Sequence, residues 1–446
     1  MTSSTKDRKS ARTFVATMIG SVVEYYDFSI YGVAASLLFA HLFFPDAGDF
    51  VGTLLSLSTF AIAFVARPVG AAVFGHFGDR VGRKATLFVT LLVMGVSTVG
   101  IGLLPTYAEV GTLAPIMLVI LRLLQGFSLG GEVSGAYLMS IESARGGRRS
   151  LFGAMVNSGA GWGLLLANVV FLAVAQLPQE VLLSWGWRVP FLLSAVLVGV
   201  GIFIRLRLEE SPEFAHVKDL GEVRKSPLAE AFRCSWKQIV LVALGLMAPG
   251  VSYYIAIVYS LSYGVRELGQ SKPTMLSLVL WMTAMLIVVT PLWGRLSDRL
   301  GAKSRRTIFI WSSAAMIATS FVWFTLLHTR QYGLMLLGFV ILFLAYTANS
   351  AVSPTYFSLA FPPHIRYSGM AIGFTIGTVL GASVAPLVAT AFHGATGSWT
   401  GVALYMSGAA FIATVAGVFL RELGESRPGR PGTVATAPAE PSRVRG

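Results

Sequence analysis

Gly75-His-Phe-Gly-Asp79-Arg80-Val-Gly82-Arg83-Lys84 returns 219 residues later as Gly294-Arg-Leu-Ser-Asp298-Arg299-Leu-Gly301-Ala-Lys303. Gly, Asp, Arg and Gly shift together (75→294, 79→298, 80→299, 82→301). A long apolar segment precedes each copy and another follows it. A charged turn duplicated between apolar spans is the mark of a membrane protein built from two repeated halves. The repeat extends outward from the turn. Glu24-Tyr25-Tyr26-Asp27-Phe-Ser-Ile-Tyr31 aligns with Ser252-Tyr253-Tyr254-Ile255-Ala-Ile-Val-Tyr259 at a shift of 228. The tyrosines superpose, the two acids become Ser252 and Ile255, and a longer first connector in the first half absorbs the difference.

Composition fits that reading. The chain has 446 residues, 54% hydrophobic and 12% charged, with a mean hydropathy of +0.70. Soluble domains carry about 25% charge, so the solvent this chain fits is lipid. The net charge of +13 does not point to nucleic acid, because Lys and Arg cluster in short connectors between apolar spans. The one cysteine, Cys234, excludes an internal disulfide and a thiolate metal site. The start, Lys6 to Arg12, is basic, but the apolar run after it is too long for a cleavable signal and lacks a small-residue cleavage site.

A spanning helix needs about 20 apolar residues. Twelve such spans are read, at roughly 14–41, 50–75, 85–104, 113–141, 151–176, 187–206, 237–264, 274–294, 306–327, 331–353, 367–392 and 399–421. The expected fold is an all-α polytopic membrane protein, two six-helix repeats around a central cavity. Basic residues fill the N-terminus and the second-to-third, fourth-to-fifth and eighth-to-ninth connectors. The opposite connectors 42–49, 105–112 and 393–398 contain no Lys or Arg. The positive-inside rule then places the basic turns and both termini in the cytoplasm. The expected organisation is a cytoplasmic N-terminus (1–13), a first bundle (14–206), a polar cytoplasmic linker (207–236), a second bundle (237–421) and a disordered tail (422–446) rich in Pro, Gly, Ala and Arg.

Ionisable residues inside the spans are few: Glu24, Asp27, Arg67, Arg122 and Glu132, all in the first half. A charge at mid-membrane costs about 2.5–3.5 kcal/mol on insertion scales unless it is paired or wet. Glu24, Asp27 and Tyr31 share one helical face. Glu24 lies about 15 Å into its helix at 1.5 Å per residue, and Arg122 lies at matching depth from the other side. An ion pair across an internal cavity is therefore expected, the alternative being a structural salt bridge that locks two helices. Two acids beside one Arg cannot all be neutralised, so one carboxyl is expected to carry a proton. Asp27 is the favoured carrier, with Glu24 and Arg122 as its partners.

Arg122 opens the phrase Arg122-Leu-Leu-Gln125-Gly126, and its planar fork suits a carboxylate. Arg122, Gln125, Tyr26 and Tyr31 are read as substrate contacts. Further polar or aromatic residues deep in spans are Asn157, Trp162, Asn168, Tyr253, Tyr254, Tyr259, Trp281, Tyr346, Asn349, Ser353, Tyr356, Thr375 and Thr378. For each, ordinary helix packing is the alternative to ligand contact. Pro249-Gly250 should break the seventh helix beside its tyrosines, a common pointer to a binding site. Arg67 is expected to snorkel to the cytoplasm, and Glu132 to serve packing or a gate. The duplicated turn fails the spacing of a phosphate loop. Its repeated Asp suits a helix cap or an Arg partner, and reads as a latch of breakable ion pairs. Gly75, Asp79, Arg80, Gly82, Arg83, Lys84, Glu132, Glu142, Asp298, Arg299 and Arg366 make up this expected cytoplasmic gate. No metal-ligand spacing, cofactor motif or catalytic set occurs, so an enzyme is not expected.

These phrases resemble the major facilitator superfamily. Within it they resemble the metabolite:proton symporter family, through Val23-Glu24-Tyr-Tyr-Asp27-Phe, Arg67-Pro68-Val-Gly70, Arg122-x-x-Gln-Gly-Phe-Ser-Leu-Gly-Gly-Glu132, Ser184-Trp-Gly-Trp-Arg188-Val-Pro-Phe191, Glu209-Glu-Ser-Pro-Glu213-Phe and Arg366-Tyr-Ser-Gly369. Known members carry shikimate, 2-oxoglutarate, citrate, or proline and betaine. The last phrase and the turn look most like shikimate-type members. The resemblance implies proton-coupled import of a small metabolite, a carboxylate, by a monomer in the bacterial cytoplasmic membrane, with the proton as coupling ion. A proton-driven exporter and a non-transporting receptor are the alternatives. Exporters of this fold usually carry a Gly-Pro phrase in the fifth helix, and here that stretch is Asn157-Ser-Gly-Ala-Gly161-Trp-Gly163. Two departures, Ala302 in place of Arg83 and no acid in Ser358-Leu-Ala-Phe-Pro-Pro, argue against a symmetric latch.

Overall fold

The structure, a computed structural model, describes residues 3–144, 147–174, 176–206 and 227–423. The expected linker up to 226 and the expected tail from 424 lie outside them. Twelve principal helices follow one another: α1 (Ser3–Leu37), α2 (Gly48–Arg80), α3 (Arg83–Gly102), α4 (Leu113–Ser143), α5 (Arg149–Val174), α6 (Val189–Leu206), α7 (Pro227–Gly245, continued below), α8 (Lys272–Leu300), α9 (Lys303–Leu327), α10 (Tyr332–Ser358), α11 (Arg366–Thr378, continued below) and α12 (Trp399–Phe419). No strand occurs among the described residues. Nine stretches of helix there are long and apolar enough to cross a membrane. Large apolar side chains such as Val65, Trp311 and Phe419 are 72%, 71% and 67% exposed on the outer surface. That surface suits lipid, where intrahelical hydrogen bonds satisfy the backbone.

The duplicated turn has a backbone reason. Gly82 lies between α2 and α3 with φ 126°, and Gly301 lies between α8 and α9 with φ 91°. Side chains disfavour that region, so glycine recurs at both places.

Two helices are irregular, and the irregular parts meet. α7 breaks at Leu246 and resumes as Met247–Tyr254, a π-helical turn Ile255–Tyr259 and Ser260–Arg266. Pro249 has no N–H to offer the carbonyl of Gly245, which accounts for the break. α11 passes into a π-helical turn, Val379–Ser383, and then Ala385–Thr396. Gly250 packs directly on Gly381 and Ala382, so these two weak points form one seam between helices.

Glycines set the close approaches. A Cβ on Gly70 would lie 1.8 Å from the carbonyl O of Phe127, one on Gly126 2.0 Å from that of Ala63, and one on Gly130 2.2 Å from that of Arg67. α2 and α4 are thus packed backbone to backbone, as small residues allow in membranes. Gly126→Ala is expected to destabilise the protein by about 1–3 kcal/mol through overpacking. Gly199→Ala, which meets open space, serves as control. The midpoint of thermal unfolding in detergent separates them, and equal midpoints would refute the packing argument.

The halves are joined at one end. A buried cluster at the basic end draws on both, with Leu87, Leu138, Ile141, Phe309, Tyr356 and Tyr367 among its members. Towards the opposite end each half has its own cluster. One is built around Phe39, Trp187 and Phe191, the other around Trp323, Phe324 and Phe339.

Candidate functional site

A central cavity lies between the halves. Glu24, Tyr25, Phe28, Arg67, Val133, Ser134, Tyr137 and Asn157 line it from the first half. Pro249, Gly250, Tyr253, Tyr254, Tyr346, Ser350, Ser353, Thr375 and Thr378 line it from the second. The α7 break and the α11 irregularity both border it, as irregular backbone in a membrane requires. Tyr253 stacks on Tyr346 at 5.6 Å and meets Tyr254 edge-on at 5.3 Å. Asn157 ties the halves on this wall. Its amide donates to the carbonyl of Ser350 at 2.6 Å, and its carbonyl accepts from the hydroxyl of Tyr137.

Several expected contacts lie elsewhere. Tyr26 donates to the carbonyl of Pro190 on α6, at 2.9 Å. Tyr31 bonds Thr59 of α2 at 2.5 Å. Trp281 is 54% exposed on the outer face, and Trp162 is also exposed. Asn349 is buried against α9, donating to Ser313 at 2.8 Å. Tyr356 donates to carbonyls at the end of α12, and Asn168 donates to Leu164 of its own helix. Tyr259 packs with Tyr263. A polar or aromatic residue in an apolar span does not reveal which neighbour its face meets, and for these it is another helix or lipid.

Glu24 and Asp27 also part company. Three residues turn a helix by about 300°, so the two sit about 60° apart around α1. Glu24 reaches the cavity, whereas Asp27 points between α3 and α6. The carboxylate of Asp27 accepts from the hydroxyl of Thr98 at 2.9 Å and from that of Ser194. Arg122 donates to Gln125 at 2.9 Å, and Gln125 donates to Thr98 at 2.7 Å. One buried polar chain, Arg122–Gln125–Thr98–Asp27–Ser194, therefore crosses four helices. Arg122 is linked to Asp27 through two intermediates, Gln125 and Thr98. Its guanidinium lies 3.9 Å from the Tyr31 ring centroid. Neither Arg122 nor Gln125 lines the cavity, which corrects their reading as substrate contacts. Sequence alone does not single out Thr98 and Ser194, because a hydroxyl in an apolar helix commonly just bonds its own backbone.

Arg67 requires another correction. α2 runs on to Arg80, so Arg67 lies thirteen residues before its end, about 20 Å at 1.5 Å per residue. That is too deep for snorkelling. It lines the cavity instead, its guanidinium 4.5 Å from the Phe64 ring centroid and 5.4 Å from that of Phe28.

At the basic end the duplicated aspartates do the same thing in opposite directions. Asp79, in the first half, accepts the backbone N–H groups of Tyr367 (3.2 Å) and Ser368 (2.8 Å), at the start of α11 in the second half. Asp298, in the second half, accepts those of Ser150 (2.9 Å) and Leu151 (2.8 Å), at the start of α5 in the first half. Each carboxylate satisfies two open donors and meets the positive end of a helix. The expectation of an asymmetric latch is thus corrected for the caps. The departures show only in the ion pairs. Arg83 reaches Asp79 (3.2 Å) and Glu142 (3.5 Å), and Arg366 also reaches Glu142 (3.5 Å). In the second half Arg305 pairs with Glu422 at 3.0 Å. Gly75 lets α2 approach Ser368. Of the other expected gate residues, Arg80 and Arg299 are exposed. Lys84 donates to the carbonyl of Leu206 in its own half, and Glu132 is buried within α4.

The comparisons agree with this architecture. The family model of the Major Facilitator Superfamily matches residues 17–379 and 287–445. The inner membrane metabolite transport protein YhjE of Escherichia coli K12 is 40% identical over 387 residues, covering 85% of this chain and 87% of that protein. The shikimate transporter of the same organism is 33% identical over 420 residues, 93% of this chain and 95% of its own. Among solved structures, the proton:xylose symporter XylE is similar in fold, with a TM-score of 0.72 at 17% identity, over 94% of this chain and 97% of that one. Two helical halves joined by reciprocal caps around a central cavity, with these relatives along nearly the whole chain, place it in the major facilitator superfamily, as a multi-pass membrane transporter and not an enzyme.

Proposed function

We propose that this chain imports a small organic acid together with protons across the bacterial cytoplasmic membrane, by alternating access to the central cavity. The basic end faces the cytoplasm, as the clustering of Lys and Arg in its connectors argues, and both termini lie there. One chain supplies both walls of the cavity, so a monomer is the working unit. The observation that carries the coupling is Asp27, buried beside the cavity and held by two hydroxyls. A hydroxyl can donate or accept. Asp27 can therefore take a proton without stranding a polar group, since one hydroxyl only has to rotate. Glu24, three residues away on α1, connects that event to the cavity wall. A carboxylate substrate is supported by the cation on that wall and by likeness to a shikimate transporter.

The test is uptake of a labelled panel (shikimate, 2-oxoglutarate, citrate, proline and glycine betaine) by proteoliposomes under an imposed pH gradient. Accumulation of an acid that a protonophore abolishes is the expected result. Uptake indifferent to the gradient would refute coupling. Outward pumping driven by proton entry would favour the exporter reading.

A further inference from the structure

We propose that Arg67 is the ligand for the substrate's carboxylate, and that the cargo is a compact monocarboxylate. This deepens the function proposed above and rests on it. Arg67 makes no hydrogen bond or ion pair among the described residues, and its Nε is buried without a partner. A guanidinium left so at mid-membrane depth is costly. Its neighbours Phe28 and Phe64 offset part of that cost through their ring faces. These ring contacts consume none of the guanidinium's N–H donors. Those donors form the planar fork that matches a carboxylate.

The position is held firmly. The backbone of Arg67 lies against Gly130, where even a Cβ would come within 2.2 Å of its carbonyl. Arg122, the other deep arginine, donates one N–H to Gln125 and does not line the cavity. Tyr253, Tyr254 and Tyr346 border the same cavity from the other half, and give the body of the cargo rings to stack on and hydroxyls to bond. Glu24 sets the charge limit. It shares the cavity with Arg67, so a second carboxylate on the cargo would meet a like charge.

The experiment measures inhibition of labelled shikimate uptake in proteoliposomes of the full chain, by unlabelled shikimate, its carboxamide and citrate. The wild type should prefer shikimate to both. Arg67→Gln should raise KM about 10- to 100-fold, as loss of a charge-assisted hydrogen bond does, and should lose the preference for acid over amide. Arg67→Lys, which keeps the charge, should fall between them and stands in if the Gln variant does not fold. Arg122→Gln should keep the acid-over-amide preference in energy-independent exchange. Wild-type acid preference and KM in either folded Arg67 variant would overturn the assignment while leaving the function reading intact. Equal inhibition of the wild type by acid and amide would also overturn it. Failure of wild-type protein to take up shikimate or any other carboxylate of the panel would overturn both.

Discussion

Asp27→Asn will abolish accumulation of substrate against a gradient and leave exchange of substrate for substrate within a few-fold of wild type. The substitution is nearly isosteric. The carboxylate now accepts from Thr98 and Ser194. In the variant the amide oxygen accepts from one hydroxyl, the NH2 donates to the other, and that hydroxyl turns to accept. No buried group is left unsatisfied, so the fold should hold. What disappears is a group able to gain and lose a proton. The accumulation ratio under a pH gradient should fall to about one, because a carrier without its proton site can only equilibrate its cargo. Counterflow, which needs no proton movement, should persist. Both are measured in the same proteoliposomes. If uphill uptake by Asp27→Asn survives a pH gradient alone, Asp27 is not the proton carrier. Glu24, on the cavity wall, becomes the next group to neutralise.

The fold was legible because it rests on one-dimensional signals. Apolar runs give spans, and the glycine of the repeated turn sits where the backbone takes positive φ, at Gly82 and Gly301. The reach of α2 was less legible. Its last turns are polar, so the apolar run ends at residue 75, short of the helix, and that run alone puts Arg67 too near the surface. The helix in fact continues to Arg80. The parting of Glu24 and Asp27 was within reach of helical geometry, but which side of α1 faces the cavity is set by packing. The partners of Asp79 and Asp298 were not legible at all. Each caps a helix of the other half, more than a hundred residues away in sequence, and no local pattern carries that information. Trp281 and Trp162 show the same limit, since the outer face of a membrane helix is as apolar as its inner face.

The reciprocal caps lead to the second large effect. Asp79→Asn should shift the resting protein towards a state open at the basic end and slow transport more than it weakens binding. An Asn offers one carbonyl oxygen to the two N–H groups of Tyr367 and Ser368, and turns an NH2 towards the other. It also loses its charge, and with it the attraction of the helix terminus and of Arg83. The cap and dipole contributions together amount to about 1–3 kcal/mol, or roughly 5- to 150-fold in the ratio of the two states. Asp298→Asn should act alike through α5. The two sites share no partner, so the double variant should show close to the sum of the single shifts. A cysteine at Ser353, on the cavity wall of α10 near the basic end, reports the opening in a Cys234→Ser background. Labelling of Ser353→Cys from the basic side should quicken in each aspartate variant, and most in the double variant. If labelling stays at the wild-type rate while transport is lost, the duplicated turn acts on folding or insertion and holds no conformational latch.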